Sequence, residues 1–442
     1  MKIALVSPKG PLYRHRGGIF GKSLRYQPLT LTTLAALVPA ELEPEFVMID
    51  EGIADVPDRL DADLVAMTVI TGTAPRAYEL SQKFRSSGLS VVLGGPHVTL
   101  MPQEAQSNAD AICTGYAEET WPQLLRDFAA GQMKPRYDQA PDFQLTNLPF
   151  ARRDLFDKRN FLTQAVFEAT RACAHGCEFC VSPSAWGRKQ FQKPVEYVVE
   201  DIRRVGKRRI LFIDLNLISD RAYARELFSA LIPLNIRWFG LSTSLVGRDP
   251  ELMELMARSG CTGLLIGFET ISAANLKSVR KGFNTPELYA GLIKDLHRLG
   301  ISIQGCFVFG NDGDTAATFA ETAEFVLETG IDLPRFAMLT PFPGTPLFGR
   351  LDAEGRILTR NWELYDGQHA VFQPKAMTVP ELEAGHERAW RTVYSWKAVA
   401  RRVARARSQV PLALAANLGY RFYAYHLHTH YNCDWPQLAE AA

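Results

Sequence analysis

Three cysteines fall within eight residues, Cys173-Ala174-His175-Gly176-Cys177-Glu178-Phe179-Cys180, separated by three and then two residues. Thiols this close do not pair as disulfides without strain, but their thiolates can wrap one soft metal centre. A zinc site would want a fourth Cys or His at comparable spacing, and His175 sits on the short loop between Cys173 and Cys177, pointing away from it. Three thiolates from one loop suit a 4Fe–4S cluster in which one iron keeps an open position. Gly176 lets the backbone curl closely around whatever is bound. Zinc, or three unrelated buried cysteines, are the competing readings of the residues alone.

The elements that must hold this loop follow from apolar runs. Runs at 164–169, 210–213, 238–242, 264–268, 303–309 and 335–339 alternate with helical patterns at 195–205, 222–231, 250–258, 286–299 and 316–329. Six β/α units without a return strand predict a partial (β/α)6 barrel of the TIM type, with functional groups at the carboxyl ends of its strands. The cysteine loop directly follows the first of those strands. Ahead of it, runs at 2–6, 46–50, 64–69, 91–93 and 111–113 alternate with helical patterns, which predicts a parallel, doubly wound α/β sheet of Rossmann-like form. After Pro341-Phe342-Pro343-Gly344-Thr345-Pro346 the rhythm stops and a helical tail follows. The expected divisions are 1–138, 150–348 and 349–442, and three domains agree with a 442-residue chain at about 150 residues per domain. With 49 Lys+Arg against 48 Asp+Glu, net charge gives no reason to expect a nucleic-acid partner. The seven cysteines, an odd number, do not resemble a secreted disulfide framework. No apolar run reaches about 18 residues and Met1-Lys2-Ile3 opens into a strand, so the expected location is the cytoplasm.

With an aromatic, Phe179, before the last cysteine and the loop at the top of a first barrel strand, residues 160–346 resemble the radical S-adenosylmethionine (SAM) superfamily. The resemblance implies that Cys173, Cys177 and Cys180 hold a 4Fe–4S cluster whose open iron is chelated by the amino and carboxylate groups of SAM. It implies an external electron donor of flavodoxin or ferredoxin type and cleavage of SAM to a 5′-deoxyadenosyl radical. Carried onto this chain, it gives Phe179, Asp214, Asn216, Ser242, Glu269, Arg280 and Phe342 as SAM contacts. Asp214 would accept from the amino group, Glu269 from the ribose hydroxyls, and Arg280 would pair with the carboxylate. The plainer alternatives are a helix cap for Asp214, a buried charge with a protein partner for Glu269, and a surface arginine for Arg280.

The first domain lacks a Gly-x-Gly-x-x-Gly after its first strand, which argues against a dinucleotide. It carries Thr71-Gly72-Thr73, Gly94-Gly95-Pro96-His97 and Gly115-Tyr116-Ala117-Glu118 after successive strands. Small residues there open a crevice for a bulky ligand tail. The pattern resembles the cobalamin-binding domain of cobalamin-dependent radical SAM enzymes. The resemblance implies that Thr71, Thr73, Gly94, Gly95, Pro96, Gly115, Tyr116 and Glu118 flank the nucleotide tail of cobalamin. The Asp-x-His-x-x-Gly element that supplies a lower axial histidine elsewhere is absent around His15. The neighbouring methylthiotransferases need further N-terminal cysteines, and only Cys113 precedes the triplet. Cys113, Cys261, Cys306 and Cys433 read as small apolar residues.

Residues 388–407 carry seven basic side chains and no acidic one, with Trp390, Val393, Trp396, Val399 and Val403 at helical spacing. Such a helix can lie on a membrane surface or pack its stripe on the barrel. The histidines His426, His428 and His430 do not share a helical face. Taken together, the resemblances imply a C-methyltransferase acting on an apolar small molecule, lipid-like or tetrapyrrole-like, or another natural product. Ring closure, ring contraction or oxidation with the same cofactors is the alternative reaction. A cofactor-responsive binding protein is the alternative class.

Overall fold

The computed structural model describes residues 1–10, 26–140, 143–146, 148–405 and 410–427; His15, Arg407, His428, His430 and Cys433 lie outside them. Strands β1 (Lys2–Ser7), β2 (Glu45–Asp50), β3 (Leu64–Thr68), β4 (Ser90–Gly94), β5 (Ala111–Thr114) and β6 (Arg136–Asp138) form one sheet in the order β2-β1-β3-β4-β5-β6, every pair parallel. Side chains alternate between two cores: Ala4, Val6, Val65 and Val91 face one, Ile3, Leu5, Leu64 and Val92 the other. Because both faces are covered, the strands read as unbroken apolar runs. The sixth strand, which no apolar run announces, is short and polar on its outer positions, Arg136 and Asp138.

The second sheet contains β7 (Val166–Phe167), β10 (Arg209–Phe212), β11 (Arg237–Ser242), β12 (Cys261–Glu269), β13 (Ser302–Phe309) and β14 (Arg335–Met338), in the order β14-β13-β12-β11-β10-β7 and parallel throughout. It is an open, partial barrel. A two-residue antiparallel pair, β8 (Thr170–Arg171) with β9 (Phe191–Gln192), flanks the cysteine loop. One continuous core runs under the longer helices of this half, from Phe167 and Phe212 to Phe307 and Phe336.

The segment after residue 349 divides between the two halves. Phe348, Trp362, Leu364, Tyr365 and Val371 pack on the first sheet, whereas Leu382, Trp390, Val393 and Val399 join the core of the second. The basic stretch is two helices, Val379–Val393 and Trp396–Arg405, not one. Its apolar stripe turns inward: Trp390 is 1% exposed, and among the described residues of this stretch Trp396 is the large apolar side chain left exposed. No helix among the described residues is long and apolar enough to cross a membrane.

Trp390 donates its indole N–H to the Phe336 carbonyl at 3.2 Å and stacks between the tail tyrosines and β14. Trp390→Ala is expected to cost about 3–5 kcal/mol of stability, the usual range for emptying a buried aromatic site, and a urea titration checks it.

Candidate active site

Parallel strands end on the same side of their sheet, and here the carboxyl ends of both sheets look into one cavity of about 370 Å³. That lies inside the range of about 300–1,000 Å³ typical of small-ligand sites. The first domain contributes Thr68, Gly94, Gly95, Pro96, Gly115 and Trp121; the second contributes Glu168, Thr170, Arg171, Ile213 and Leu215. Of the residues expected to meet cobalamin, Gly94, Gly95, Pro96, Gly115, Tyr116 and Glu118 line it. Gly95 has φ +106, and a Cβ there would stand 2.8 Å from both the nitrogen and the oxygen of Val69. Gly115, at φ +75, would meet Gln139 at 2.6 Å. Neither turn tolerates a side chain, so backbone itself forms the cavity floor.

Thr71 and Thr73 stand elsewhere. They line a second, apolar cavity of about 270 Å³ with Ile70, Pro96, Val181 and Phe342. Their hydroxyls are already engaged: Thr71 Oγ1 lies 3.3 Å from His97 Nδ1, and Thr73 donates to the Ile70 carbonyl at 3.1 Å. Phe342, expected at the adenine of SAM, thus faces the first domain's loops instead.

Four charges, Lys193 buried and the other three largely so, join the two domains at the cavity wall. Arg171 donates to Glu118 of the first domain and, at 2.8 Å, to Glu168, which also holds Lys193 at 3.1 Å. Burial alone would lower the Arg171 pKa; the two carboxylates outweigh it and raise it. Tyr116 fills the gap, stacked 5.5 Å from Trp186 with the Arg171 guanidinium 4.9 Å from its ring centre. The second oxygen of Glu118, Oε2, is buried without a hydrogen-bond partner.

One residue beyond Arg171 the backbone enters the cysteine loop through Ala172, at φ 63, a conformation that costs a non-glycine residue energy and that surrounding structure must enforce. Cys177 is buried; Cys173 and Cys180 are partly exposed. Burial pushes the Cys177 thiol up to about 11, and the charges of Cys180, Glu269 and Cys173 add to the rise. Among the described residues no three metal-ligating side chains converge on a single ion position, and a cluster with one thiolate per iron does not require them to. Glu178 anchors the loop: its carboxylate takes hydrogen bonds from Arg350 at 2.9 Å and 3.5 Å, and its backbone bonds Val279 and Leu347. His175 turns outward and stacks on Phe283 at 3.9 Å.

Behind the loop, Glu269 ends β12 at a register shift between Gly267 and Glu269, with φ 65. The bulge turns its carboxylate onto Lys281 Nζ at 2.5 Å. Gly267 makes room for the pair, since a Cβ there would stand 2.4 Å from the Glu269 carboxylate and 3.1 Å from Lys281. Lys281, unremarked in the sequence, is the cation of this turn that faces the site. It is 7% exposed, feels Cys177 and Cys180, and sits 5.9 Å from the Phe179 ring. Arg280 is exposed, with φ 56. Helix Ala273–Ser278 closes with Lys281 N–H on the Leu276 carbonyl and Arg280 in the left-handed position, a Schellman turn that directs the second residue inward and the first outward. A sequence cue was available: an Arg-Lys-Gly run after a short helix.

Asp214 does not reach toward a ligand amino group. Its carboxylate accepts from the Ala169 N–H at 3.0 Å, from the Thr170 N–H, and from the Thr170 hydroxyl at 2.8 Å, fixing the approach to the cysteine loop. Asn216 is the polar group left over at this strand end, its Oδ1 buried without a partner, as is Thr243 Oγ1 after β11. Ser242 donates to the Thr243 carbonyl at 3.1 Å.

Residues 27–125 match the B12 binding domain, residues 167–326 the Radical SAM superfamily, and residues 345–419 a domain of unknown function, DUF4070. The chain is 31% identical over 395 residues to bacteriochlorophyllide d C-12(1)-methyltransferase of Chlorobaculum tepidum, covering 85% of this chain and 84% of that one. It belongs to the cobalamin-dependent radical SAM enzymes. This enzyme is also 30% identical to the bacteriochlorophyllide d C-8(2)-methyltransferase of the same organism, over 84% of its own length and 86% of that protein's. Its fold matches that of OxsB, a cobalamin-dependent SAM radical enzyme solved with aqua-cobalamin and SAM bound, with a TM-score of 0.70 at 14% identity, over 96% of this chain and 72% of that one. The cofactors are a 4Fe–4S cluster, SAM and cobalamin. The residues present fit each: three coupled thiols for the cluster, Glu269, Lys281 and the orphaned Asn216 and Thr243 oxygens for SAM, and the glycine floor with Glu118 Oε2 for cobalamin.

Burial, and secondarily the Glu168 charge, raise Asp214 from 3.8 to about 7. The folded state thus holds a proton that the unfolded chain releases near pH 4, so its stabilising effect is complete below that value and is lost as pH rises to about 7. Asp214→Asn is expected to flatten this fall, read as the urea midpoint of variant and parent across pH 4–8.

Proposed function

We propose that this enzyme transfers a methyl group to an unactivated carbon of an apolar small molecule, with a tetrapyrrole as the leading class and terpenoid lipids behind it. The observation that supports this is the junction itself: Glu118, on the wall of the cavity, is tied through Arg171 and Ala172 to the loop of Cys173, so the cluster loop begins at that cavity's wall. The two Chlorobaculum relatives, named as C-12(1) and C-8(2) methyltransferases of bacteriochlorophyllide d, support the reaction and the substrate class.

When bound, the cluster with SAM supplies the 5′-deoxyadenosyl radical, and cobalamin the methyl group. The chain's own part is positional. Cys173, Cys177 and Cys180 hold the cluster and leave one iron open. Lys281 offers its ammonium to the SAM carboxylate and Glu269 accepts from the ribose hydroxyls, each releasing the other to do so. Asp214 holds the approach strand. Ile70 and Leu215, 47% and 44% exposed at the cavity mouth, are apolar surfaces that a bound corrin and substrate would cover, excluding water from the reacting carbon. An electron carrier of flavodoxin or ferredoxin type and a reducing cytoplasm complete the reading.

Reduced, reconstituted protein with SAM, cobalamin and a chlorophyllide acceptor is expected to form both 5′-deoxyadenosine and S-adenosylhomocysteine, measured by liquid chromatography with mass detection. Deoxyadenosine without S-adenosylhomocysteine would replace methyl transfer by ring formation or oxidation. Cys177→Ala is expected to lose the cluster and at least 100-fold of the deoxyadenosine; retention of either would overturn the cluster assignment.

A further inference from the structure

The outer face of the Cys173–Cys177 loop carries a concentration of unpaired positive charge. Ala174 is exposed and its carbonyl accepts from Arg188 Nε at 3.0 Å, while the same guanidinium lies against Gly176, 3.5–3.6 Å from where a Cβ would stand. Next to it His175 stacks on Phe283, and Arg248 donates to the Phe283 carbonyl at 3.4 Å and to the Thr285 hydroxyl at 3.1 Å. Lys277 and Arg280 stand on the turn leading into Phe283, and Lys189 follows Arg188. All five of these cations are exposed, and among the described residues none forms an ion pair. Of the carboxylates on the neighbouring turns, Asp295 lies in the groove beyond Arg248, 3.9 Å from Arg298, and Asp220 accepts from Gln192 and from the first N–H groups of its own helix. In a chain whose net charge is only +1, this rim is a local excess of positive charge that meets carbonyls, a hydroxyl and the Phe191 ring, and among the described residues no carboxylate within ion-pair distance.

We propose that this rim is the docking surface for an acidic one-electron carrier protein. The inference rests on the radical SAM reading above, since only a redox cluster behind the loop gives such a partner a purpose. Complementary charge would steer the carrier, raising association rates by about 10–10³ in a salt-dependent way. Arginines around an aromatic pair are the composition of an interface hot spot. The step is a single electron transfer: the carrier is oxidised by one electron, the cluster reduced by one, and no bond forms or breaks.

The test reads the cluster, not the product. Reconstituted full-length protein is mixed in a stopped-flow instrument with reduced flavodoxin or with reduced methyl viologen, and bleaching of the cluster absorbance is followed. Two variants are compared: R188E, and R248E/K277E, which leaves the contacts of the cysteine loop in place. With flavodoxin, R248E/K277E is expected to react at least tenfold more slowly and with a flatter dependence on salt, while its rate with methyl viologen stays within about twofold of the parent. R188E, which also removes the bond to the Ala174 carbonyl of the cysteine loop, is expected to slow the flavodoxin reaction at least as much. Equal flavodoxin rates in parent and R248E/K277E would overturn the proposal. So would an equal loss with both reductants, which would place these residues' effect on the cluster. If the parent assembles no iron and sulfide at all, the radical SAM reading fails, and that outcome is separate from a failure of docking alone.

Discussion

The contact on which the active site depends is the largely buried ion cluster Glu118, Arg171, Glu168 and Lys193. Charges taken out of water cost several kcal/mol each unless well paired, and removing one partner leaves another stranded. Here the partners come from different domains. Glu118 belongs to the loop after β5 of the cobalamin half; Arg171 belongs to the strand that runs into Cys173. The cluster loop and the cobalamin cavity therefore hold their separation only while the domains are docked, and the docked geometry is enforced by a penalty against separation more than by a gain in stability.

The same region stores backbone strain. Among the described residues five non-glycines have positive φ, and three of them, Ala172, Glu269 and Arg280, stand around the cysteine loop. Each is held by something specific: Ala172 between Asp214-bound backbone and the loop, Glu269 by the bulge and Lys281, Arg280 by the Schellman bonds of its helix. Strain that persists only because neighbours over-determine it is a mark of sites where side-chain aim matters.

Much of this was legible in the residues. The cysteine spacing, the apolar strands and the glycines after β4 and β5 each carry their physical reason locally, in ligand reach, burial on both faces and φ that only glycine adopts. What was not legible depends on aim and on distance. Whether Arg280 or Lys281 faces inward is decided by one left-handed residue. Asp214 is a strand-end carboxylate in either role, and only the fold shows that Ala169 and Thr170 occupy it. Strands β6, β8 and β9 are two or three residues long and too polar to stand out from loop. The break between Val393 and Trp396 falls at Tyr394-Ser395, without a glycine or proline to announce it, because the tail bends to follow the sheet edge.

That edge explains why the chain cannot be cut into independent parts. An open parallel sheet leaves two unpaired strand edges, each an invitation to wrong pairing. At β14 the tail covers the edge: Trp390 bonds the Phe336 carbonyl, Tyr394 bonds Pro334, and Met338 donates to the Gly367 carbonyl. At β7 the cover comes from Arg153, just ahead of the strand, and from the first domain. Arg153 donates to the Val166 carbonyl at 2.8 Å, and Gln27 donates to Thr163 at 3.0 Å. A barrel that stops at six strands has two edges to protect, and here the segment ahead of β7 with Gln27 covers one while the tail covers the other.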